Sequence, residues 1–285
     1  MFSMTPESNL ITSRLETLVK GDHPDLANLA PGVQARPFAA ASNGARNFST
    51  GLVIIEPGAK LTYHKHTFSE AITVLEGELN FDVEGRRYQL YALDCVHVPA
   101  GTIHAALNPS SRETCIAHYA FATENATREL VDKSFSHIIR GLDDPKPGEP
   151  EHLARYFKTD KYPLAQGTRF RDLFAKRFGS AGICGGYGEF SPGTGLPCHI
   201  HEYDESITIV RGEAICEVAG RRYKVSNRDT VLIPQGLCHR FFNDSSDTMA
   251  MVWVYAGDEP ERTILDVGYC LGTMKYEPPM STDEH

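Results

Sequence analysis

Eight residues of the sequence have the types and spacing needed to hold metal ions. Each half contributes three histidines and one glutamate: His64, His66, Glu70 and His104 in the first, and His199, His201, Glu205 and His239 in the second. Imidazole and carboxylate groups suit the divalent ions of Fe, Mn, Ni, Co, Cu and Zn. Three neutral imidazoles and one carboxylate leave a divalent ion with a net charge of +1, so it stays electrophilic.

The spacing indicates how the four side chains could meet at one ion. His64 and His66 lie two positions apart, so on a strand they project to the same face. If that strand continued straight, Glu70 would lie about 13 Å beyond His66, whereas a metal bond spans about 2 Å. The chain must therefore bend over residues 67–69, and His104 must arrive from a later strand. Four protein ligands would leave two positions open on an octahedral ion.

The whole pattern occurs twice at a constant offset in residue number. The offset that carries His64 onto His199 also carries the tetrapeptide 85–88, Gly-Arg-Arg-Tyr, onto an identical tetrapeptide at 220–223. A period this long indicates a duplicated domain, because solenoid repeats have units of about 20–50 residues. We interpret the tetrapeptide as a solvated hairpin connection. Anion binding by its arginines is the less favoured alternative.

Short apolar runs between Gly and Pro turns predict the elements that position these residues. Such runs occupy residues 51–56, 71–75, 96–98 and 116–122, and this pattern is typical of an all-β sandwich or barrel. Helical patterns are confined to residues 13–20 and 127–140. The linker-like sequence at 143–148 predicts two domains, residues 1–143 with an N-terminal arm and residues 144–285.

The two halves resemble the cupin superfamily. They match the motifs G-x5-H-x-H-x3-E-x6-G and P-x-G-x2-H-x3-N at these positions: Gly58, His64, His66, Glu70, Gly77, Pro99, Gly101, His104 and Asn108, and again Gly193, His199, His201, Glu205, Gly212, Pro234, Gly236, His239 and Asn243. The glycine that usually opens the second motif is replaced by Leu93 and Arg228. The resemblance implies a bicupin: an all-β chain of two tandem cupin jelly-roll β-barrels with short peripheral helices and one divalent transition metal per barrel, Fe or Mn being favoured.

The resemblance also implies a range of activities. We expect a metal-dependent enzyme, foremost a dioxygenase-type oxidoreductase acting on a small oxygenated molecule that chelates the ion. A non-redox lyase, isomerase or hydrolase is the first alternative, and a non-catalytic cupin that binds a small ligand is the second. The chain is short for the oxalate decarboxylase pattern, and it keeps ligands in both halves, unlike most ureidoglycine aminohydrolases.

Side chains near the ligands differ between the halves. Six residues are candidates for the walls of the substrate pockets: Phe68, Ala106 and His118 in the first barrel, and Tyr203, Phe241 and Trp253 at the corresponding positions of the second. Because the first barrel has Ala106 where the second has Phe241, we expect the first cavity to be roomier and more polar. We therefore expect catalysis at the N-terminal metal, with no further catalytic side chain identified.

Composition restricts the partners. A net charge of −9 disfavours nucleic acids and anionic membranes, which would be repelled. The sequence shows no signal peptide and no transmembrane run, and its seven cysteines lack the spacing of a disulfide framework, which favours the cytoplasm. We interpret Cys198 and Cys238 as packing residues. The arm over residues 1–40 is long enough to cross onto a neighbouring chain, so we expect a homodimer or larger assembly.

Overall fold

The computed structural model describes residues 14–274, and most of its regular structure is β-strand. The first part of the chain forms fourteen strands: β1 Thr17–Val19, β2 Ala27–Ala30, β3 Val33–Ala39, β4 Ser49–Ile55, β5 Lys60–Lys65, β6 Glu70–Glu76, β7 Leu79–Val83, β8 Arg86–Leu90, β9 Cys95–Val98, β10 His104–Leu107, β11 Cys115–Phe121, β12 Glu129–Leu130, β13 Ile138–Gly141 and β14 His152–Ala154. Ten more follow: β15 Thr168–Phe174, β16 Cys184–Phe190, β17 His199–Ile200, β18 Glu205–Arg211, β19 Glu213–Val218, β20 Arg221–Ser226, β21 Thr230–Ile233, β22 His239–Phe242, β23 Met249–Tyr255 and β24 Thr263–Ile264.

The described helices are short and peripheral. They are two 3-10 helices, Ala41–Asn43 and Lys176–Phe178, and one α-helix, α1 Val267–Leu271. None of the helices in residues 14–274 is long and apolar enough to cross a membrane. The all-β fold with short peripheral helices is therefore confirmed.

The strands form two jelly-roll barrels, each made of two facing sheets. The first barrel joins the sheet β14-β9-β6-β11-β4-β3-β2 to the sheet β12-β5-β10-β7-β8-β13. The second joins β1-β21-β18-β23-β16-β15 to β20-β19-β22-β17-β24. Each barrel encloses its own apolar core, and a third apolar cluster lies between the barrels.

The larger sheets of the two barrels pack back to back. In β11, Ala117 and Tyr119 face the core of the first barrel, whereas Ala120 faces the second barrel. Alternate residues of a strand point to opposite faces of its sheet, and here both faces are buried. This explains why the strand sequence is a nearly continuous apolar run.

The two predicted helical segments are wrong where the structure describes them. Residues 17–19 form β1, which pairs antiparallel with β21, and residues 127–140 contain β12 and most of β13. Strand β13 pairs in parallel with β8. Pairing with distant strands overrides the local helical pattern in both segments. Ser13, at the start of the first prediction, lies outside the described residues.

Each half of the chain contributes its first strand to the barrel of the other half. Strand β1 precedes the first barrel, yet Thr17 is paired with Leu232 of the second. Strand β14 lies beyond residue 143, yet His152 is paired with His97 of the first barrel. Strand β1 of the arm thus crosses onto the second barrel of its own chain, whereas β2 and β3 pair within the first barrel. The division at residues 143/144 remains a prediction.

The repeated Gly-Arg-Arg-Tyr tetrapeptide holds these exchanged strands in place. Glu151, next to β14, accepts hydrogen bonds from Arg86 Nε at 2.7 Å, Arg86 Nη2 at 2.8 Å and Tyr88 OH at 2.6 Å. Glu16 sits next to β1 and accepts hydrogen bonds from Arg221 and Tyr223 in the same way. The interpretation as a purely solvated connection is therefore wrong, because each tetrapeptide binds a carboxylate of the other half.

Removing one of these carboxylates should destabilise the whole chain. We expect Glu151→Gln to lower the free energy of unfolding by about 1–3 kcal/mol, because it removes the nearest and most buried of the carboxylates around the half-buried Arg86. Urea unfolding measures the change. The control is Glu129→Gln, which removes an exposed partner of Lys65 and should cost less than about 1 kcal/mol. Equal small losses in both variants would contradict the assigned role.

The turn that lacks the usual cupin glycine is nevertheless formed. Leu93 and Arg228 take its place with φ angles of 69° and 67°, a left-handed conformation that normally favours glycine. The following aspartates satisfy backbone groups of the turn, since Asp94 accepts from Tyr91 N at 3.2 Å and Asp229 from Ser226 N at 3.2 Å. The substitution therefore leaves the turn intact.

Candidate metal centres

Facing strands bring the predicted ligands together in both barrels. In the first, His64 of β5 is paired with His104 of β10, and Glu70 opens β6 in the opposite sheet. In the second, His199 of β17 is paired with His239 of β22, and Glu205 opens β18. In each cluster one ligand atom from every residue lies within 4.8 Å of the others, and all eight residues are buried.

Each ligand histidine is oriented by a backbone carbonyl. In the first barrel, Nδ1 lies 2.8 Å from Thr62 O in His64, 2.6 Å from Thr127 O in His66 and 2.9 Å from Thr102 O in His104. The second barrel repeats the arrangement with Pro197, Glu261 and Leu237. A carbonyl only accepts, so Nδ1 carries the proton and Nε2 presents a lone pair, as is usual in metal-binding histidines.

The atoms at the centre of each cluster need a cation. In the first barrel, Glu70 Oε2 lies 2.7 Å from His104 Nε2 and 3.3 Å from His66 Nε2. With both rings neutral, these atoms are acceptors facing acceptors, and the described residues offer them no hydrogen-bond donor. An ion among them would turn this repulsion into coordination. The donor set therefore fits a divalent transition metal, and the structure contains two three-histidine, one-glutamate metal-binding sites.

Burial shapes the protonation of the ligands. It lowers the pKa of His64 to about 4 and that of His199 well below its ordinary value. Burial alone would raise the pKa of Glu70, but His104 and His66 lower it well below its usual range. Burial would likewise lower the pKa of His66, but Glu70 raises it. A proton therefore competes with a metal ion at His66, and metal affinity decreases as the pH is lowered.

The first metal site opens into a largely apolar cavity of about 380 Å³. Three of its ligands reach the wall: His64, His66 and Glu70. The remaining lining residues are Ala27, Leu29, Ala35, Pro37, Val53, Leu61, Ile72, Tyr119, Phe121, Ala126, Thr127 and Arg128. Arg128 is the one basic side chain in this described lining. The cavity can hold a small molecule with an apolar body beside the metal.

The second metal site borders a different kind of space. A polar cavity of about 540 Å³ is lined by Ile200, His201, Glu202, Tyr203, Glu261, Arg262 and Thr263, so only one of the four ligands reaches it. Phe241 and Trp253 are packed into the barrel core. The expectation that the first cavity is the roomier and more polar one is therefore wrong. The loop residues Glu202, Glu261 and Arg262 make the second cavity polar.

The pocket candidates occupy three kinds of position. Phe68 stacks on His66 with ring centroids 4.9 Å apart, and Tyr203 stacks on His201 at 5.6 Å. Ala106 lies in the core of the first barrel. His118 lies on the opposite face of β11, where its Nε2 is 3.4 Å from Thr208 of the second barrel. His118 is therefore not a pocket residue.

A one-residue deletion explains the misplaced His118. Tyr119 is paired with Gly51, and Trp253 is paired with Gly186, its counterpart. The difference in residue number between corresponding positions of the two repeats is therefore smaller by one residue after Asn243. Tyr119, not His118, corresponds to Trp253.

The same shift conceals a repeated arginine. Arg128 and Arg262, one in each metal cavity, correspond at the smaller offset and follow β11 and β23. The residues before them, Thr127 and Glu261, supply the carbonyls that orient His66 and His201. An alignment of the repeats with one gap would have revealed both pairs.

Metal content should follow the two clusters. After reconstitution we expect two ions per chain by elemental analysis, and one after either His64→Ala or His199→Ala, because three remaining ligands hold an ion less tightly. Stripping with a chelator should lower Tm, since the ions bind only the folded chain. A content of one ion per wild-type chain would mean that only one cluster is occupied.

Comparisons with known proteins agree with this architecture. The Cupin domain family matches residues 51–119 and 186–255, and no curated protein matches the sequence. The R92A mutant of Bacillus subtilis oxalate decarboxylase superposes with a TM-score of 0.70 at 15% identity, covering 90% of this chain and 80% of that one. The Lactobacillus farciminis oxalate decarboxylase formate complex gives 0.69 at 16% identity, covering 92% and 90%. At these identities the likeness shows a shared fold.

Proposed function

We propose that the chain, which is a bicupin because both of its halves belong to the cupins, is a metal-dependent enzyme that acts on a small molecule at its N-terminal centre. The observation that carries the proposal is the contact between metal site and cavity. His64, His66 and Glu70 all line the same 380 Å³ space, so a molecule bound there would lie beside an ion held by these residues.

The cavity lining indicates the kind of substrate. Val53, Ile72 and Phe121 would pack against an apolar body, and Arg128 would pair with an anionic group such as a carboxylate. Oxygen atoms near that group would chelate the ion. A bound divalent ion supplies Lewis-acid polarisation of such oxygens. The substrate we propose is thus a small oxygenated acid with more apolar surface than oxalate has.

A non-redox reaction of the lyase, isomerase or hydrolase type is the favoured class. Three neutral imidazoles and one carboxylate keep a divalent ion electrophilic without requiring a change in its oxidation state. Solved structures with the same fold include oxalate decarboxylases, and one of them concerns the Mn(II) centres of the Bacillus subtilis enzyme. This supports manganese as a suitable ion here, with iron as the other favoured choice.

A dioxygenase is the second candidate. The apolar wall next to His64 and His66 suits dioxygen, a neutral molecule that water solvates poorly. Such an enzyme needs a redox-active ion, so replacing iron or manganese by zinc should abolish its oxygen-dependent turnover. A non-redox enzyme should tolerate several divalent ions and work without oxygen.

One set of assays separates these possibilities. The chain is loaded with Mn²⁺, Fe²⁺ or Zn²⁺ and incubated with α-hydroxy acids, α-keto acids and diketones, with and without oxygen. Anaerobic turnover supports the non-redox class, and oxygen consumption that zinc abolishes supports the dioxygenase. Shifts in Tm without turnover of any compound would instead identify a binding protein and contradict the proposal.

Arg128→Gln tests the assigned substrate contact. We expect KM for carboxylate substrates to rise roughly 10-fold or more, because a charge-assisted hydrogen bond is lost. The matched control is Arg112→Gln, at an exposed position outside the cavity. A KM that is equally unaffected in both variants would exclude a role for Arg128.

We also propose that the chain works in the cytoplasm as a homodimer or larger assembly. The support is the exposed edge strand β13, where Ile138 and Ile139 are 51% and 69% exposed, since apolar strand edges normally need cover. Light scattering should return about twice 31.5 kDa. A mass near the single-chain value would contradict the assembly.

A further inference from the structure

Three cysteine sulfur atoms converge behind the second metal site. The Sγ atoms of Cys198, Cys238 and Cys270 all lie within 4.8 Å of one another. A disulfide joins Cys198 to Cys270, and Cys238 keeps its thiol. Cys238 packs as predicted, but the prediction for Cys198 is wrong, because Cys198 forms a disulfide that the spacing of the cysteines did not indicate. The two residues directly precede the ligands His199 and His239, so the cluster lies on the opposite face of those strands.

The corresponding place in the first barrel contains no cysteine. Tyr63 and Ile103 stand where the second barrel has Cys198 and Cys238, and the ring of Tyr63 packs against Phe135 with centroids 4.8 Å apart. The first barrel therefore closes at this point with ordinary apolar contacts. In the second barrel all three positions are cysteines, whereas the four other free cysteines are buried in the strands β9, β11, β16 and β19.

We propose that Cys198, Cys238 and Cys270 form a third ion site, which binds a thiophilic ion such as Zn²⁺ or Cd²⁺ after the disulfide is reduced. Thiolate sulfur prefers such ions over the hard ions that oxygen ligands favour. Zinc–sulfur bonds of about 2.3 Å would place the three sulfurs roughly 4 Å apart. After reduction the Cys198 and Cys270 sulfurs would move apart by rotation of their side chains, and Cys238 Sγ already lies within 4.8 Å of both.

Reduction and ion binding conserve electrons and protons. A dithiol reductant gives two electrons to the Cys198–Cys270 bond, becoming a disulfide itself, and both cysteines become thiols. Binding of the divalent ion then forms three metal–sulfur bonds and releases the three thiol protons to solvent. Three thiolates and one divalent ion carry a net charge of −1. The oxidised chain cannot bind the ion in this way, because two of the three sulfurs are already bonded to each other.

The site should also replace the disulfide as a clamp on α1. Cys270 belongs to α1, whereas Cys198 and Cys238 lie beside β17 and β22. Either the disulfide or the ion ties α1 to the barrel, but the reduced and ion-free chain has neither. We expect its Tm to be the lowest of the three states, and the ion-loaded chain to recover most of the difference.

Cadmium titration of the full chain tests the proposal. The oxidised chain should hold two Cd²⁺ ions at its histidine sites, and the chain reduced with a phosphine should hold three. The third should bring the ultraviolet absorption of cadmium thiolate, which the histidine sites cannot produce. Two ions and no such absorption in the reduced chain would overturn the proposal.

Variants identify the ligands independently of any catalytic activity. Cys238→Ser, which leaves the disulfide pair untouched, should lose the third ion and its absorption but keep the first two. Cys216→Ser replaces a buried cysteine outside the cluster and should behave like the wild type. Equal third-ion binding by Cys238→Ser and wild type would also refute the site. Cys270→Ser provides a second test if Cys238→Ser does not fold.

Discussion

His64→Ala is expected to reduce turnover by at least about 1000-fold, corresponding to roughly 4 kcal/mol of lost stabilisation of the transition state. The variant loses a ligand that both binds the ion and lines the substrate cavity. Activity is measured with the best substrate from the metal-loading assays, after elemental analysis and circular dichroism show one ion per chain and an intact fold.

The matched variant in the other barrel is His199→Ala. Its ligand cluster is equivalent, but His199 does not line the adjacent cavity. We expect turnover to stay within about threefold of wild type, because the N-terminal centre is untouched. Loss of activity only in His199→Ala would assign catalysis to the C-terminal centre. Equal partial loss in both variants would show that the centres work in parallel.

Acidification should destabilise the interface between the barrels through two buried histidines. His97 is 0% exposed, and its ring nitrogens have no partner among residues 14–274. His118 is 2% exposed and lies close to Thr208. Burial lowers the pKa of His97 to about 4 and that of His118 to about 3. Both are therefore neutral in the folded chain at pH 7.

The sign of the effect follows from these pKa values. An unfolded histidine titrates near pH 6.5, above both folded values, so the stabilising contribution is complete above that pH. It is lost as pH falls from about 6.5 toward 3–4, because protons then bind preferentially to the unfolded chain. By pH 5 each histidine should have reduced the free energy of unfolding by about 2 kcal/mol.

The repeat itself supplies the test variants. His97→Leu and His118→Val introduce the residues found at the equivalent positions, Leu232 and Val252. Urea unfolding between pH 7 and 5 should show a smaller loss of stability for each variant than for wild type. Both proteins lose metal on acidification, so the difference between them isolates the histidine. Identical pH profiles would mean that these histidines titrate normally.

The ligand clusters could be predicted from sequence because their geometry is encoded by local spacing. His64 and His66 share a strand face, and the repeat of the pattern at 199–205 made coincidence improbable. The barrel architecture followed from turns and apolar runs. These features depend on residues close together in the chain, or on motifs whose fold is widely shared.

Other features depend on contacts that no local pattern records. Glu16 and Arg221 are 205 residues apart, so neither the strand exchange nor the role of the repeated tetrapeptide was visible. The deletion after Asn243 falls outside the motifs, so the constant offset matched His118 to a residue one position away from its true counterpart. An error of one residue assigns a side chain to the opposite face of a strand. The convergence of Cys198 and Cys270 likewise requires the position of α1, 72 residues later.

Because of the strand exchange, the order in which the ribosome delivers the chain constrains how the chain can fold. Thr17–Val19 emerges from the ribosome well before its partner Thr230–Ile233. The first barrel gains its strand β14 only once His152–Ala154 has emerged to pair with β9. Until the second barrel is complete, the N-terminal strand has an unpaired edge that other strands could capture. Correct folding therefore depends on keeping Thr17–Val19 free until Thr230–Ile233 has been made.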